Sequence, residues 1–142
     1  MKKMFFVLFL ILLAFGCESR EEYFDKICTK KIKSFDLVDT LEEKVIYNNK
    51  DEIIDVQVIR KYESKNKETI NYVKKSINDY NNDLLESKNI KIKIMNDEDN
   101  VYSLKYFYDV SNMQKDELDN LNINKNSIKY LRRLKNEDFD CR

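Results

Sequence analysis

One glycine, Gly16, and no proline occur in the 142-residue chain. Every turn after residue 16 must therefore be made by residues that carry a Cβ. Among these, Asn and Asp tolerate the left-handed conformation best, so their clusters mark where the chain reverses. Asn48-Asn49-Lys50-Asp51 and Asn96-Asp97-Glu98-Asp99-Asn100 are two such clusters. The same scarcity leaves no glycine-rich loop to cradle a phosphate.

Between the turns, hydrophobic periodicity assigns the elements. A mixed apolar and basic alternation over 27–35 (Ile27, Cys28, Ile32, Phe35) reads as a first strand. Leu41, Val45 and Tyr47 share one parity of 40–48, and Ile54, Val56 and Val58 alternate beyond the turn, so these two stretches form a hairpin. Asn66 is placed to cap a helix over 67–87. Its apolar residues Ile70, Val73, Ile77, Tyr80, Leu84 and Leu85 recur at steps of three and four along one stripe. Ile90, Ile92 and Ile94 alternate with lysines in a next strand, and 101–110 forms another. In that last strand Tyr102, Leu104, Tyr106, Tyr108 and Val110 hold one parity, while Ser103, Lys105, Phe107 and Asp109 hold the other. A short helix near 114–121 and a better one from Asn126 or Ser127, carrying Ile128, Leu131 and Leu134, complete the pattern. The expected fold is α+β: an antiparallel sheet of four to five strands in β-β(β)-α-β-β-α order, with helices packed on one face.

The N-terminus is of another kind. Lys2 and Lys3 precede twelve apolar residues, Met4 to Phe15, followed by Gly16-Cys17 and an abruptly polar stretch. Twelve residues suit the apolar region of an export signal and fall short of the ~20 that span a bilayer. A small residue followed by Cys at the end of such a run resembles the lipobox of bacterial lipoproteins, although Ala14 stands where that family usually has Leu. The resemblance implies cleavage before Cys17 and attachment of a diacylglycerol to its thiol. Ala14-Phe15-Gly16 equally fits an ordinary signal-peptidase site, which would release a secreted protein with a free Cys17, and a short uncleaved anchor is a third reading. The expected organisation is a signal peptide at 1–16, a charged tether at 17–26 and a single domain at 27–142, a length consistent with one domain.

With Cys17 assigned to lipid, two cysteines remain, Cys28 and Cys141, near the two ends of the domain. In an oxidising compartment such a pair invites a disulfide. Closing about 113 residues is worth ~4–5 kcal/mol at most in the chain-entropy picture. Two unpaired thiols are the alternative. No metal or cofactor is expected, since two cysteines without histidine make a poor zinc site.

Basic and acidic residues balance at 26 each, and removing Lys2 and Lys3 with the leader leaves −2. This is no footprint for nucleic acid. The chain has no histidine, which excludes Ser-His and Cys-His catalysis. Ser64-Lys65-Asn66-Lys67 matches Ser-x-x-Lys but falls where a helix begins. Asp79-x-Asn81-x-Asp83 imitates the start of a calcium loop but lies inside the amphipathic helix and has Leu84 at the glycine place. The acidic turn 96–100 reads as a solvated hairpin turn. Paired carboxylates for hydrolytic chemistry stay open among so many acids.

A lipobox-like signal, a hairpin, one long helix, a second hairpin and a C-terminal helix resemble the layout of the YehR-like small bacterial lipoproteins. The Cys17 region, Lys44 to Tyr62, the helix 67–87 and the strands 90–95 and 101–110 carry that resemblance. It implies an envelope location and no particular activity. Tyr102, Tyr106 and Tyr108 read as core packing against the helix stripe, or else as an exposed partner surface. The sequence thus leads to an expectation of a membrane-anchored envelope lipoprotein, facing outside the cytoplasm. Its domain is non-catalytic and binds an envelope protein. A small secreted or surface enzyme using carboxylates, and an immunity or exclusion lipoprotein, are the alternatives.

Overall fold

A computed structural model describes residues 21–142. Cys17, the signal segment and the beginning of the tether lie outside the described residues. The element order is β1 (Tyr23–Ser34), β2 (Leu37–Asn48), β3 (Ile53–Ser64), α1 (Lys67–Leu84), β4 (Ile90–Asp97), β5 (Val101–Asp109), α2 (Lys115–Asn120), α3 (Ser127–Asn136) and β6 (Asp140–Cys141). The strands form one six-stranded sheet in the order β4-β5-β3-β2-β1-β6, every neighbour antiparallel. The α+β class therefore holds. The strand count rises to six because β1 is a full strand and the tail adds β6.

The expected tether is corrected at its end. Residues 23–26 belong to β1 and pair with Val45–Asn48 of β2. The long β2 offers backbone partners that the polar local sequence does not advertise. On the opposite edge of β1, near its middle, Ile27 and Arg142 exchange two backbone hydrogen bonds, and Cys28 lies opposite Cys141 with the sulfurs at disulfide-bonding distance.

Turn chemistry follows from the missing glycines. Among the described residues four have positive φ: Phe35, Asp51, Asn122 and Asp138. Asn122 and Asp138 end α2 and α3 in the same way. The N–H three residues beyond each helix returns to a carbonyl five residues back, Ile123 to Leu118 at 2.8 Å and Phe139 to Leu134 at 3.0 Å. Phe35, in the two-residue turn between β1 and β2, is the exception. A bulky aromatic there is a steric outlier, and its side chain is fully exposed.

Side chains alternate across the sheet. One parity carries Cys28, Val45, Val56, Tyr62, Tyr102, Leu104 and Tyr106, all buried. These residues meet α1 through Ile70 and the α2–α3 segment through Leu118, Ile123, Tyr130 and Leu134. All three helices of the described residues cover this face. The other parity has no helix against it among the described residues.

Candidate functional site

Covered by the helices, the sheet carries a polar network as well as a core. Arg60 pairs with Asp39 through Nη2 to Oδ2 at 2.6 Å and stacks on the Tyr62 ring at 5.0 Å. Tyr106 Oη donates to Asn81 Oδ1 at 3.1 Å, and Tyr130 Oη donates to Glu43 Oε2 at 2.8 Å. Burial raises the pKa of the Glu43 carboxyl above the usual carboxylate range, partly offset by the Tyr130 hydrogen bond and Arg133. Burial also pushes the phenols of Tyr62, Tyr106, Tyr108 and Tyr130 upward. These tyrosines stay protonated at neutral pH, and Tyr106 and Tyr130 serve as donors that join helices to sheet.

Tyr102 and Tyr106 are 2% and 6% exposed, and Tyr108 is partly buried in the same layer. The reading of Tyr102, Tyr106 and Tyr108 as a partner surface is therefore corrected. The parity that aligns them points them at α1, whose Ile70, Val73 and Ile77 pack against them. Other sequence matches also resolve into structure. Ser64 Oγ donates to Asp36 and accepts from Asn66 N–H, while Asn66 caps α1 by accepting from Glu68 N–H. Asn81, within the apparent calcium pattern, is the acceptor for Tyr106. In the acidic turn, Asp97 and Asp99 take Lys74 and Lys67 of α1. Glycosidase-like convergence of acids with tyrosines does not occur at Asp55 and Asp109, because those carboxylates and the tyrosine row lie on opposite sides of the sheet.

The helix-free face is built differently. Register aligns its rows as Thr29-Glu42-Ile59-Lys105-Lys93 and Ile27-Lys44-Gln57-Phe107-Lys91, among others. Apolar residues stand singly between charges. Seven lysines (Lys31, Lys33, Lys44, Lys61, Lys91, Lys93, Lys105) face five carboxylates (Asp25, Glu42, Asp55, Glu63, Asp109) on this surface. Lys44 pairs with Asp25 at 3.3 Å and Lys61 with Glu63 at 2.9 Å. Lys31, Lys33, Lys91, Lys93 and Lys105 have no carboxylate partner among the described residues, although Lys105 sits 4.8 Å over the Phe107 ring.

Two cross-strand pairs on this face set like charges opposite each other, Lys93 against Lys105 and Asp55 against Asp109. Such pairs destabilise a sheet. The Asp pair resolves part of its conflict by titrating apart. Burial and the Asp109 charge raise Asp55, whereas hydrogen bonds from Asn112 and Ser111 lower Asp109. Both line an open depression of about 590 Å³ with Lys91, Lys93 and Phe107. Sequence reasoning located these residues on the alternate parities of β3, β4 and β5 but could not pair them, because register is a tertiary quantity.

No family model and no curated protein matches the chain. Among solved structures, an NMR structure of a protein from Streptococcus pneumoniae TIGR4 is similar, with a TM-score of 0.55, 10% identity, and 89% of this chain and 88% of that one covered. At that identity the likeness shows the fold alone.

Proposed function

We propose that this protein is a cell-envelope lipoprotein, tethered through a diacylglyceryl group on Cys17. It resembles the YehR-like lipoproteins in layout, and its domain acts by binding rather than by catalysis. The observation that supports binding is the helix-free face: a sheet surface with like charges opposed across strands breaks a local stability rule without an internal return, and such violations gather at functional surfaces. The lipobox-like Gly16-Cys17 supports the tether, and the Cys28–Cys141 pair suits an oxidising compartment outside the cytoplasm.

The test is the intact mass of the protein extracted from its native membrane fraction without reductant. The expected species starts at Cys17, carries a diacylglyceryl group and fatty acyl chains, and is two hydrogens short of the dithiol. An unmodified mass, or a Cys17→Ser form that still fractionates with membranes, overturns the tether.

A further inference from the structure

The tether places the domain beside a membrane, and the charge distribution selects which side faces it. From Cys17 to Tyr23 is six residues, a reach of at most about 20 Å. β1, twelve residues long, extends about 40 Å from that point. On so short a leash the domain either stands on its Tyr23 end or lies along the sheet.

The end of the helix-free face nearest the tether carries Asp25, Asp55 and Asp109 in one row with Ile46. An anionic surface repels that end. Farther along the same face the charge reverses: Lys31, Lys33, Lys93 and Lys105 outnumber Glu42 and Glu63, while Lys91 borders the acidic end beside Asp109. The whole face sums to +2, whereas the described residues together sum to −2, so the remaining surface stands at −4. One face is basic on an otherwise acidic domain. The apolar residues on this flank sit where an interfacial layer would take them. Tyr23 and Ile27 are exposed, and Phe35 is fully exposed at the far tip, held at φ 49°. Aromatic side chains beside lysines suit the headgroup boundary, where the ring partitions and the ammonium reaches phosphate.

We infer that the helix-free sheet face lies against the membrane and binds anionic phospholipid headgroups, with Lys31, Lys33, Lys93 and Lys105 as the phosphate contacts and Phe35 as the interfacial anchor. The inference rests on the proposed tether for its geometry, but the face itself binds without the lipid. Acyl chains and a basic patch together give the two signals that stable membrane attachment requires. The helices, and the acidic remainder of the surface, then point away from the bilayer.

The test uses the mature chain, residues 17–142, carrying Cys17→Ser. All six strands, the three helices and the disulfide lie within it. Sedimentation is measured with vesicles of phosphatidylglycerol mixed with phosphatidylcholine, and with vesicles of phosphatidylcholine alone. The expected result is binding to the anionic vesicles only, abolished near 1 M salt, where the screening length falls to about 3 Å. The variant Lys31→Glu/Lys33→Glu/Lys93→Glu should weaken binding by about fivefold or more per lysine. The helix-side variant Lys115→Glu/Lys129→Glu/Lys135→Glu changes charge equally and should retain most of the binding. Denaturant midpoints confirm that both triple variants are folded. Absence of binding to anionic vesicles, equal binding to both vesicle types, or equal loss in the two variants overturns the inference and leaves an acidic protein as the occupant of the face. Because the acyl group is absent throughout, these failures are distinct from failure of the tether, which the intact mass reads.

Discussion

Tyr106 and Phe107 are neighbours in β5 and belong to different environments. Tyr106 lies under α1, 6% exposed, with its hydroxyl satisfied by Asn81. Phe107 lies on the other side, part-exposed, with Lys105 over its ring and Lys91 opposite. The covered face sets apolar residues and satisfied polar groups against one another, and its ions are partnered: Asp39 with Arg60, Glu43 with Tyr130. The helix-free face isolates each apolar residue among charges and tolerates like-charge pairs. The first arrangement stabilises the fold. The second leaves interaction free energy unspent within the chain and available to a partner.

Paired substitutions on the two faces of β5 break this comparison most directly. Leu104→Ala, on the covered face, should cost about 2–5 kcal/mol by opening a core cavity, whereas Phe107→Ala should cost about 1 kcal/mol or less. Urea unfolding of both variants checks this. Similar losses would mean that the helix-free face is packed after all.

The disulfide should rank with the core. Cys28 is fully buried on the covered face, and the bridge closes 113 residues. Replacing both cysteines by serine should lower stability by about 2–5 kcal/mol. Denaturant midpoints with and without reductant give the same difference in the parent. A midpoint unmoved by reduction would remove the bridge from the account.

Glu43 gives the covered face a pH signature. Its carboxyl titrates higher in the folded chain than in the unfolded one, so the folded state holds the proton more tightly. Stability from this group therefore increases as pH falls from neutral through its raised value, and levels off below about 4.3, the unfolded value. Glu43→Gln should be more stable than the parent at neutral pH, and the difference should shrink in acid. Asp109, on the helix-free face, has the opposite sign. Its pKa is lowered, so its contribution is present above the ordinary carboxylate value and lost as pH falls through the lowered one. Unfolding midpoints of Glu43→Gln and Asp109→Asn should lie on opposite sides of the parent at neutral pH, the first above and the second below, and both should close on it in acid. Parallel curves would refute the contrast.

Two smaller effects sharpen the picture of the helix-free face. Phe35→Gly should stabilise by about 1 kcal/mol, because glycine accepts positive φ without steric cost. It should also weaken binding to anionic vesicles. Lys93→Glu should stabilise by about 0.2–1 kcal/mol by replacing a like-charge pair with an opposite one facing Lys105. A loss of stability in either variant would show that the residue is held for the fold and not for a surface.

Much of this architecture was legible locally. Alternation in 101–110 placed Tyr102, Leu104 and Tyr106 on one parity, with core and partner surface both open, and the apolar stripe of α1 announced the layer that covers them. The Asn and Asp clusters located turns because no glycine competed for them, and Asp51, Asn122 and Asp138 take positive φ as that argument requires. The cysteine pair also followed from counting. The start of β1 at Tyr23 did not, since residues 23–26 are strand only because β2 is long enough to pair with them. Phe35 in a left-handed turn ran against local preference.

The sequence by itself determined the order of the elements from β2 to α3, the buried parity of strands β2 to β5 and most of the turns between them, because periodicity and backbone sterics act over a few neighbours. Tertiary structure alone decided the strand order β4-β5-β3-β2-β1-β6, the crowding of all three helices onto one face, and the opposition of Lys93 to Lys105 and Asp55 to Asp109. The physical reason is register: a polar parity in one strand shows only that a side is not core. What that side presents depends on which residues of other strands hydrogen bonding brings level with it.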